Sequence, residues 1–388
     1  MNILVLGNSS VHTARFANQF VNNGDNVYLL SNNYHRINRF DSGVHIITFL
    51  ERVNKFLANR NNLHFDYINS FIRIVYSTLF INRIIRKYNI DAVLGINLAF
   101  SGPVIYRVKK NIKKVVITIG NDYNITKFPN PGFIFHNEFL IRQYCKRIDK
   151  IISYDIDYYK PMIDKRGWNF GNWEFIHHFG IEVNRFKPDN SKEFKSFYNF
   201  NHDSIIASTL RPARMWFDYD NILNAVKNIV EKHTNFYYII GKGDNESDVY
   251  LRNLISELDL SDNVILADVI AYHELHKHVA IADIYIDPIN LNKSSLGENS
   301  GISTAILEAM SCGLIPVAPD RPSIRGFLPE NSHQFIFEDF DKDLTDKLEL
   351  AILMRNNQEI KSACRNAVVK NTNWDKNFEY IMNLFVNN

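Results

Sequence analysis

The chain has 388 residues, of which 46% are hydrophobic and 22% charged, and a formal net charge of +2. This composition is that of a globular protein, and the length exceeds what one hydrophobic core usually organises, so we expect two domains. Three cysteines are too few for a disulfide framework or a zinc site. With no signal peptide evident and no apolar run near the roughly 18 residues of a membrane helix, we expect a cytoplasmic protein.

The charge is distributed unevenly between the two halves of the chain. Residues 1–188 carry 25 Lys and Arg against 13 Asp and Glu, whereas residues 189–388 carry 19 against 29. A basic first half indicates an anionic partner, such as a membrane surface, a lipid pyrophosphate or a nucleic acid. The alternative is that these charges only solvate the outer faces of the domain.

The first half predicts strands that alternate with helices. "NILVLG" ends at Gly7, the helical pattern "TARFANQFVNNG" follows, and "NVYLLS" completes a βαβ unit. Further strand patterns are "VHIITF", "DAVLGI", "KKVVITIG" and "KIISYD", with a long helical region through "FIRIVYSTLFINRIIRKYN". Strands rich in Val and Ile that alternate with helices indicate a parallel sheet covered on both faces.

The same alternation begins again after residue 200. The predicted strands are "SIIASTL", "FYYIIGKG", "NVILAD", "IYIDPI" and "LIPVAPD", with amphipathic helices between them. We therefore expect two doubly wound domains, at 1–188 and 189–370, and a final helix at 371–388 that returns to the first domain. The polar segment 183–197 is the predicted linker.

Ligands of such sheets bind where parallel strands end, so the loops after the strands are the candidate sites. In the first half, Gly7 lets backbone approach a ligand at the start of a helix. His12 is a candidate for contact with a substrate hydroxyl or phosphate, or a solvated residue of the first helical turn. Asp122 follows the strand "VVITI" and would hold a sugar hydroxyl or simply turn the chain.

In the second half, two arginines follow a strand. Arg211 and Arg214 in "STLRPARMWFDYD" suit a diphosphate, because guanidinium groups match phosphate oxygens. The alternative is a surface ion pair. Gly241, in "GKGDNE", predicts a tight turn at the end of a strand near a bound base.

The stretch "STAILEAMSCG" predicts a helix that begins at a Ser303 cap and ends at Gly313. The spacing puts Ile302, Ile306 and Met310 on its buried face and Glu308 on another face. A carboxylate there can accept hydrogen bonds from the two hydroxyls of a ribose, and the free amides at the helix start suit the adjoining phosphates. The alternative is a solvated glutamate.

Two other motifs have little support. No complete Gly-x-Gly-x-x-Gly follows the first strand, so NAD binding is not indicated. The pattern "DID" at 155–157 lacks the context of a metal-binding Asp-x-Asp, and we expect no metal site there.

"GISTAILEAMSCGLIPVA" resembles the signature of the family 4 glycosyltransferases, which are retaining, sugar-nucleotide-dependent enzymes of the GT-B fold. "HFGIEVNRFKP" is similar to the family's crossover between domains, and "LRPAR" to its phosphate-binding loop. The resemblance covers nearly the whole chain and implies an enzyme of bacterial surface-polysaccharide synthesis. It implies an α/β protein of GT-B fold, with two Rossmann-like doubly wound parallel-sheet domains that face each other across a cleft.

The resemblance also implies roles for individual residues. Glu308 would bind the ribose, Arg211 and Arg214 the diphosphate, and Gly7 the donor from across the cleft. The loop that holds the transferred sugar and phosphate would comprise Ser300, Gly301, Ile302, Ser303 and Thr304, with Gly241 near the base. The catalytic residues would be Asp122, His12 and Arg211. Ser300 stands where the family has a glutamate, so the donor sugar is not predicted.

The function implied is transfer of a sugar from a nucleotide diphosphate donor to a hydroxyl of a glycan or polyprenyl-pyrophosphate-linked acceptor. We expect no cofactor, no metal and no nucleic-acid partner, and we expect peripheral contact with an anionic membrane through residues 52–114. Two alternatives remain: a nucleotide-sugar epimerase of the same fold, and a non-catalytic subunit that binds a sugar nucleotide.

Overall fold

The computed structural model describes residues 1–7, 11–31, 39–47, 63–118, 138–154, 156–188, 192–290 and 301–386. The chain divides into two compact units. The first comprises Met1–Ile176 with Tyr380–Asn388, and the second comprises His177–Glu379. Each unit has its own hydrophobic core.

The first unit is built around seven strands. They are β1 (Asn2–Gly7), β2 (Asn26–Ser31), β3 (Val44–Ile46), β4 (Ala92–Ile96), β5 (Lys113–Ile117), β6 (Lys150–Tyr154) and β7 (Trp173–Ile176). Its helices are α1 (Val11–Asn22), α2 (Leu63–Lys87), α3 (Leu98–Tyr106), α4 (Glu138–Cys145) and α5 (Ile156–Lys165).

The strands of this unit form one parallel sheet in the order β3-β2-β1-β4-β5-β6-β7. The central strands β1 and β4 are almost entirely apolar and buried, as expected for a sheet with both faces covered. The strand order reverses between β1 and β4, and this switch point is where doubly wound sheets bind ligands.

The second unit contains six strands. They are β8 (Ile205–Thr209), β9 (Phe236–Gly241), β10 (Val264–Ala267), β11 (Ile284–Ile286), β12 (Ile315–Pro319) and β13 (Ile336–Phe337). Its helices are α6 (Lys192–Phe197), α7 (Tyr219–Lys232), α8 (Asn245–Glu257), α9 (Tyr272–Ala280), α10 (Thr304–Ser311), α11 (Pro322–Phe327), α12 (Leu344–Met354) and α13 (Gln358–Asn371).

This second sheet is also parallel, in the order β10-β9-β8-β11-β12-β13. Its order reverses between β8 and β11. The two doubly wound parallel sheets that the sequence predicts are therefore confirmed, and the second sheet has its switch point beside the loop that carries Arg211.

Three local features differ from the sequence prediction. The strand β7 was not predicted, because it lies at the sheet edge and only Trp173 of its residues is buried. The strand β13 has two residues, too few for a pattern. The expected linker 183–197 instead contributes Val183 and Phe186 to the second core and forms the short helix α6.

The last helix, α14 (Trp374–Val386), begins in the second unit and ends in the first. Within the first unit, the Tyr380 hydroxyl donates to Glu174 Oε2 at 2.9 Å, and the Phe385 ring packs edge-on against Phe20 with 5.9 Å between ring centroids. Over the part of the chain that the structure describes, no helix combines the length and apolarity needed to cross a bilayer.

Candidate functional site

The switch point of the second sheet brings two loops together. One follows β8 and carries Arg211, and the other follows β11 and begins with Asp287. A short antiparallel bridge joins Phe217 to Ile289, and the Asp218 amide donates to the Pro288 carbonyl at 3.0 Å. The two loops are therefore held in a fixed relation at the edge where a ligand would bind.

Arg211 lies half-buried in the first of these loops. Its guanidinium carbon is 4.6 Å from the centroid of the Phe217 ring, so the side chain is held in place by a cation–π contact. The Nη1 atom is buried and has no hydrogen-bond partner among the described residues. A buried charged donor left unpaired is costly, so this atom is suited to an anionic ligand.

Two buried phenols lie close to the same guanidinium group. Burial raises the pKa of the Tyr219 and Tyr285 hydroxyls, and the positive charge of Arg211 partly opposes that rise. Both phenols are therefore neutral and leave the charge of Arg211 uncompensated. The wall of the site at this point combines one cation with uncharged aromatic groups.

Gly241, at the end of the neighbouring strand β9, and Gly243, just after it, support the Arg211 loop. A Cβ atom on Gly241 would lie 2.8 Å from the Arg211 carbonyl oxygen, and one on Gly243 would collide with the Ala213 carbonyl. The Ala213 amide donates to the Gly241 carbonyl at 3.1 Å. Glycine is needed at both positions because the backbone of the Arg211 loop lies directly against them. The sequence predicted a turn at Gly241 but not this contact.

A buried ion pair lies at the end of β11. Arg321 donates to Asp287 Oδ2, and both side chains are almost completely buried. The other oxygen, Asp287 Oδ1, accepts from the Ile289 amide at 3.3 Å. The pair fixes the start of the loop after β11, and sequence reasoning missed it although Asp287 directly follows a strand.

The helix α10 begins and ends as the sequence predicts. The Ser303 side chain caps it by accepting from the Ile306 amide at 3.4 Å, and Gly313 beyond its end has a φ of +83°, which favours glycine. Glu308 is only 6% exposed, so the reading as a solvated glutamate is wrong. The spacing predicted that Glu308 lies away from the buried face of the helix. In the structure, every residue of α10 from Ile306 to Ser311 is buried, so the helix has no solvated face there.

The start of α10 also contacts a histidine that the sequence analysis overlooked. His178 Nδ1 accepts from the Gly180 amide at 3.0 Å, so its Nε2 atom bears the proton in the neutral ring. That Nε2 lies 3.4 Å from Thr304 Oγ1. Gly301 and Ile302 come just before Ser303 and Thr304 in the chain, and the Ile302 side chain is buried in the core of the second unit. The sequence offers no signal for His178 beyond the adjacent pair His177 and His178.

Arg214 is placed differently from Arg211. Its side chain is 50% exposed, and its Nη1 lies 3.3 Å from Asp244 Oδ2. Asp244 caps α8 by accepting from the Ser247 amide, and these hydrogen bonds hold the pKa of its carboxyl below the usual value. The surface ion pair that was the alternative reading is thus present at Arg214, and a ligand would have to compete with it.

Two predicted residues lie in the first unit. Gly7 ends β1, and a Cβ atom there would lie 2.7 Å from Thr13 Oγ1, so the glycine permits close packing of α1 on the sheet. His12 is in the first turn of α1, and part of its side chain is exposed to solvent. Protein atoms packed around the rest of the side chain disfavour the charged imidazolium and lower the pKa of His12, and the nearby positive charge of Arg15 lowers it further.

Asp122 and Ser300 lie outside the described residues, whereas the rest of the predicted sugar loop, 301–304, lies within them. Among the residues that the structure does describe, no group of three or more His, Cys, Asp or Glu side chains is arranged to hold a metal ion.

Two family models match the chain. Residues 190–370 match the glycosyl transferases group 1, and residues 2–155 match a glycosyl transferase 4-like family. A comparison with curated proteins finds no significant match.

Solved structures share the fold over nearly the full chain. A glycosyltransferase from Rickettsia africae is 15% identical, with 99% of this chain and 97% of that one covered and a TM-score of 0.71. HepE from Anabaena, in complex with UDP and glucose, is 11% identical, with 100% of both chains covered and a TM-score of 0.70. WaaG, a glycosyltransferase involved in lipopolysaccharide biosynthesis, is 11% identical, with 100% of both chains covered and a TM-score of 0.65.

Proposed function

The chain belongs to the family 4 glycosyltransferases, and on that premise we propose that it moves a sugar from a nucleotide diphosphate donor to a hydroxyl of a glycan or lipid-linked glycan. We further propose that the transfer retains the anomeric configuration, as in the family that the sequence resembles, and that it serves the synthesis of a cell-surface polysaccharide. The structural neighbours add support, since HepE is described with UDP and glucose and WaaG with a role in lipopolysaccharide synthesis.

One observation carries the donor proposal. Arg211 presents a buried, unpaired guanidinium nitrogen at the switch point of the second sheet. Nucleotide ligands of doubly wound sheets bind at this position, and a diphosphate would supply the hydrogen-bond acceptor that Arg211 lacks. The amides at the start of α10 would receive the same phosphates, and the buried Glu308 would accept hydrogen bonds from the ribose.

The proposed chemistry follows from this placement. As the bond between the anomeric carbon and the diphosphate oxygen breaks, positive charge develops on the sugar ring and negative charge on the leaving phosphate. Arg211 stabilises the second of these charges where it appears. The acceptor oxygen bonds to the anomeric carbon on the same face, and its proton passes to the departing phosphate oxygen. Because Arg211 supplies the compensating charge, we expect transfer to continue in the presence of a chelator.

The first unit supports a lipid-linked acceptor and peripheral contact with the inner face of a membrane. A groove of about 550 Å³ between α2, α3 and α4 exposes Leu79 (64%) and Phe139 (70%). Arg107 lines the groove and is exposed, and each such cation near an anionic surface contributes about 1 kcal/mol. Lys114, in the same basic stretch, is instead buried and paired with Asp149 at 3.1 Å.

The donor proposal is tested by thermal unfolding with a panel of nucleotide sugars. At least one should raise the melting temperature of the protein, because selective binding to the folded state stabilises it. Glu308→Ala should remove that protection. With the donor so identified and an acceptor glycan, NMR of the product should show the donor's anomeric configuration. Protection by no nucleotide sugar, or an inverted product, would contradict the proposal.

The membrane contact is tested by co-sedimentation with vesicles that contain anionic lipid. Replacing Leu79 and Phe139 together by Ser should release the protein, because the apolar side chains can no longer enter the interface. Val269→Ser, which removes an apolar side chain exposed in the second unit, is the matched control and should change nothing. Equal binding of all three proteins would exclude the groove as the contact.

A further inference from the structure

A second cavity lies at the opposite edge of the second sheet from Arg211. Its volume is about 500 Å³. Its walls include the segment before β11, Ala280–Asp283, and the residues before β12, Cys312 and Gly313. Because the strands are parallel, both segments lie at the amino-terminal edge of the sheet, whereas the proposed donor site lies at the carboxyl-terminal edge.

Positive charge dominates the lining of this cavity. Lys195, Lys361 and Arg365 contribute three cations, and His202 is a further titratable group. Among the described residues that line it, Asp283 is the single carboxylate, and its Oδ2 accepts from the Ile206 amide at 3.0 Å. This excess of cations stands out because residues 189–388 carry 29 Asp and Glu against 19 Lys and Arg.

None of the three cations has a carboxylate within ion-pair distance in the described part of the chain. Among the described residues, Lys361 Nζ donates to the Arg355 carbonyl at 3.2 Å. Arg365 donates to backbone carbonyls, among them that of Phe186 at 3.0 Å, and to Ser311 Oγ at 3.2 Å. Carbonyl oxygens satisfy the hydrogen bonds of these groups but leave their charge uncompensated.

Burial of cations in this cavity carries an electrostatic cost. Burial lowers the pKa of Lys361; the charge of Asp283 opposes this shift, and the charge of Lys195 adds to it. Three cations converge on a space whose described lining contains one carboxylate, and burying cations with too few counter-charges is costly. An anion in the cavity would remove that cost.

We propose that this cavity is a second ligand site, separate from the donor site, that binds a phosphate monoester of about the size of a sugar phosphate. A volume of this order suits a small molecule rather than a bare ion. The Gln358 and Ser362 side chains, near the start of α13, add hydrogen-bond donors for phosphate oxygens. The apolar residues Ile281 and Pro188 would contact the rest of the ligand.

The proposal is tested by isothermal titration with glucose 6-phosphate and with inorganic phosphate, using the full chain with Arg211→Ala to weaken any binding of the probe at the donor site. We expect binding at a single site per chain. The double substitution Lys195→Gln and Lys361→Gln should weaken it by at least about tenfold, since two charge-assisted contacts are lost. Lys370→Gln, on the exposed side of the same helix α13, is the matched control and should bind as the parent does.

Circular dichroism and the melting temperature of each variant show that the second unit is folded. If the double substitution proves unstable, the single change Lys195→Gln, at a half-buried position, provides the same comparison. Equal affinity of the cavity variants and the Lys370→Gln control would overturn the proposal, as would failure of either probe to bind at millimolar concentration.

Discussion

The two units share a topology but differ in how their ligand edges are built. In the second unit, the loops at the switch point are joined by a backbone bridge and rest on the buried Asp287–Arg321 ion pair. In the first unit, the described contacts at the equivalent edge are between small groups: Gly7 packs on Thr13, and Gly95 packs on Ser101. The same fold thus holds fixed charges at the ligand edge of the second unit and packs helices closely on strands at the equivalent edge of the first unit.

This difference has a physical reason. A diphosphate requires positive charge that is already oriented before the ligand arrives, and orientation comes from loops that cannot move independently. Close packing of a helix on a strand requires instead that no side chain stand between them. The second unit is therefore the one whose chemistry depends on buried polar groups.

The largest expected effect comes from breaking the ion pair of the second unit. Asp287→Ala leaves Arg321 buried and uncompensated and should lower the free energy of unfolding by about 3–5 kcal/mol. Asp320→Ala removes the partner of the half-exposed Arg325 and should cost less than about 1 kcal/mol. Denaturant titration of both variants measures the contrast. Similar losses in the two would mean that the buried pair does not brace the site.

A smaller effect is expected at the packed edge of the first unit. Gly7→Ala places a methyl group 2.7 Å from Thr13 Oγ1 and should cost about 1–3 kcal/mol through overpacking. The double variant with Thr13→Ala should recover most of this loss, because the clashing atoms are gone. Denaturant titration of the single and double variants gives the coupling. If the stability losses of the two single variants simply add in the double variant, Gly7 is not required for packing against Thr13.

The smallest effect concerns His12, whose pKa in the folded protein is lowered. As the pH falls through about 6.5, the unfolded chain takes up a proton at this residue before the folded chain does, so stability is lost on acidification. His12→Asn removes this contribution, and its melting temperature should fall less between neutral pH and about pH 5 than that of the parent. Parallel curves for the two proteins would be inconsistent with a lowered pKa.

The sequence predicted features that depend on neighbouring residues along the chain. The ends of α10 follow from Ser303 and Gly313, which act within one helical turn, and the sheets follow from apolar runs between glycines and polar turns. Burial of Glu308 could not be predicted, because it depends on elements that pack over both faces of its helix.

Pairings between distant residues were also beyond the sequence. Arg211 and Arg214 look alike in "LRPAR", yet one is left with an unpaired nitrogen and the other contacts Asp244, which lies 30 positions away. Asp287 and Arg321 are 34 positions apart. No periodicity connects such residues; only the order of the strands brings them together.

The contrast between the two arginines provides the most direct test of the donor site. Isothermal titration with UDP-glucose, or with the nucleotide sugar found to protect the protein, should show that Arg211→Ala weakens binding by roughly 10- to 100-fold, through loss of hydrogen bonds to charged oxygens. Arg214→Ala should weaken it by less than about fivefold, because the arginine is exposed and already paired. Unchanged affinity in the Arg211→Ala protein, with its melting temperature intact, would contradict the placement of the donor diphosphate.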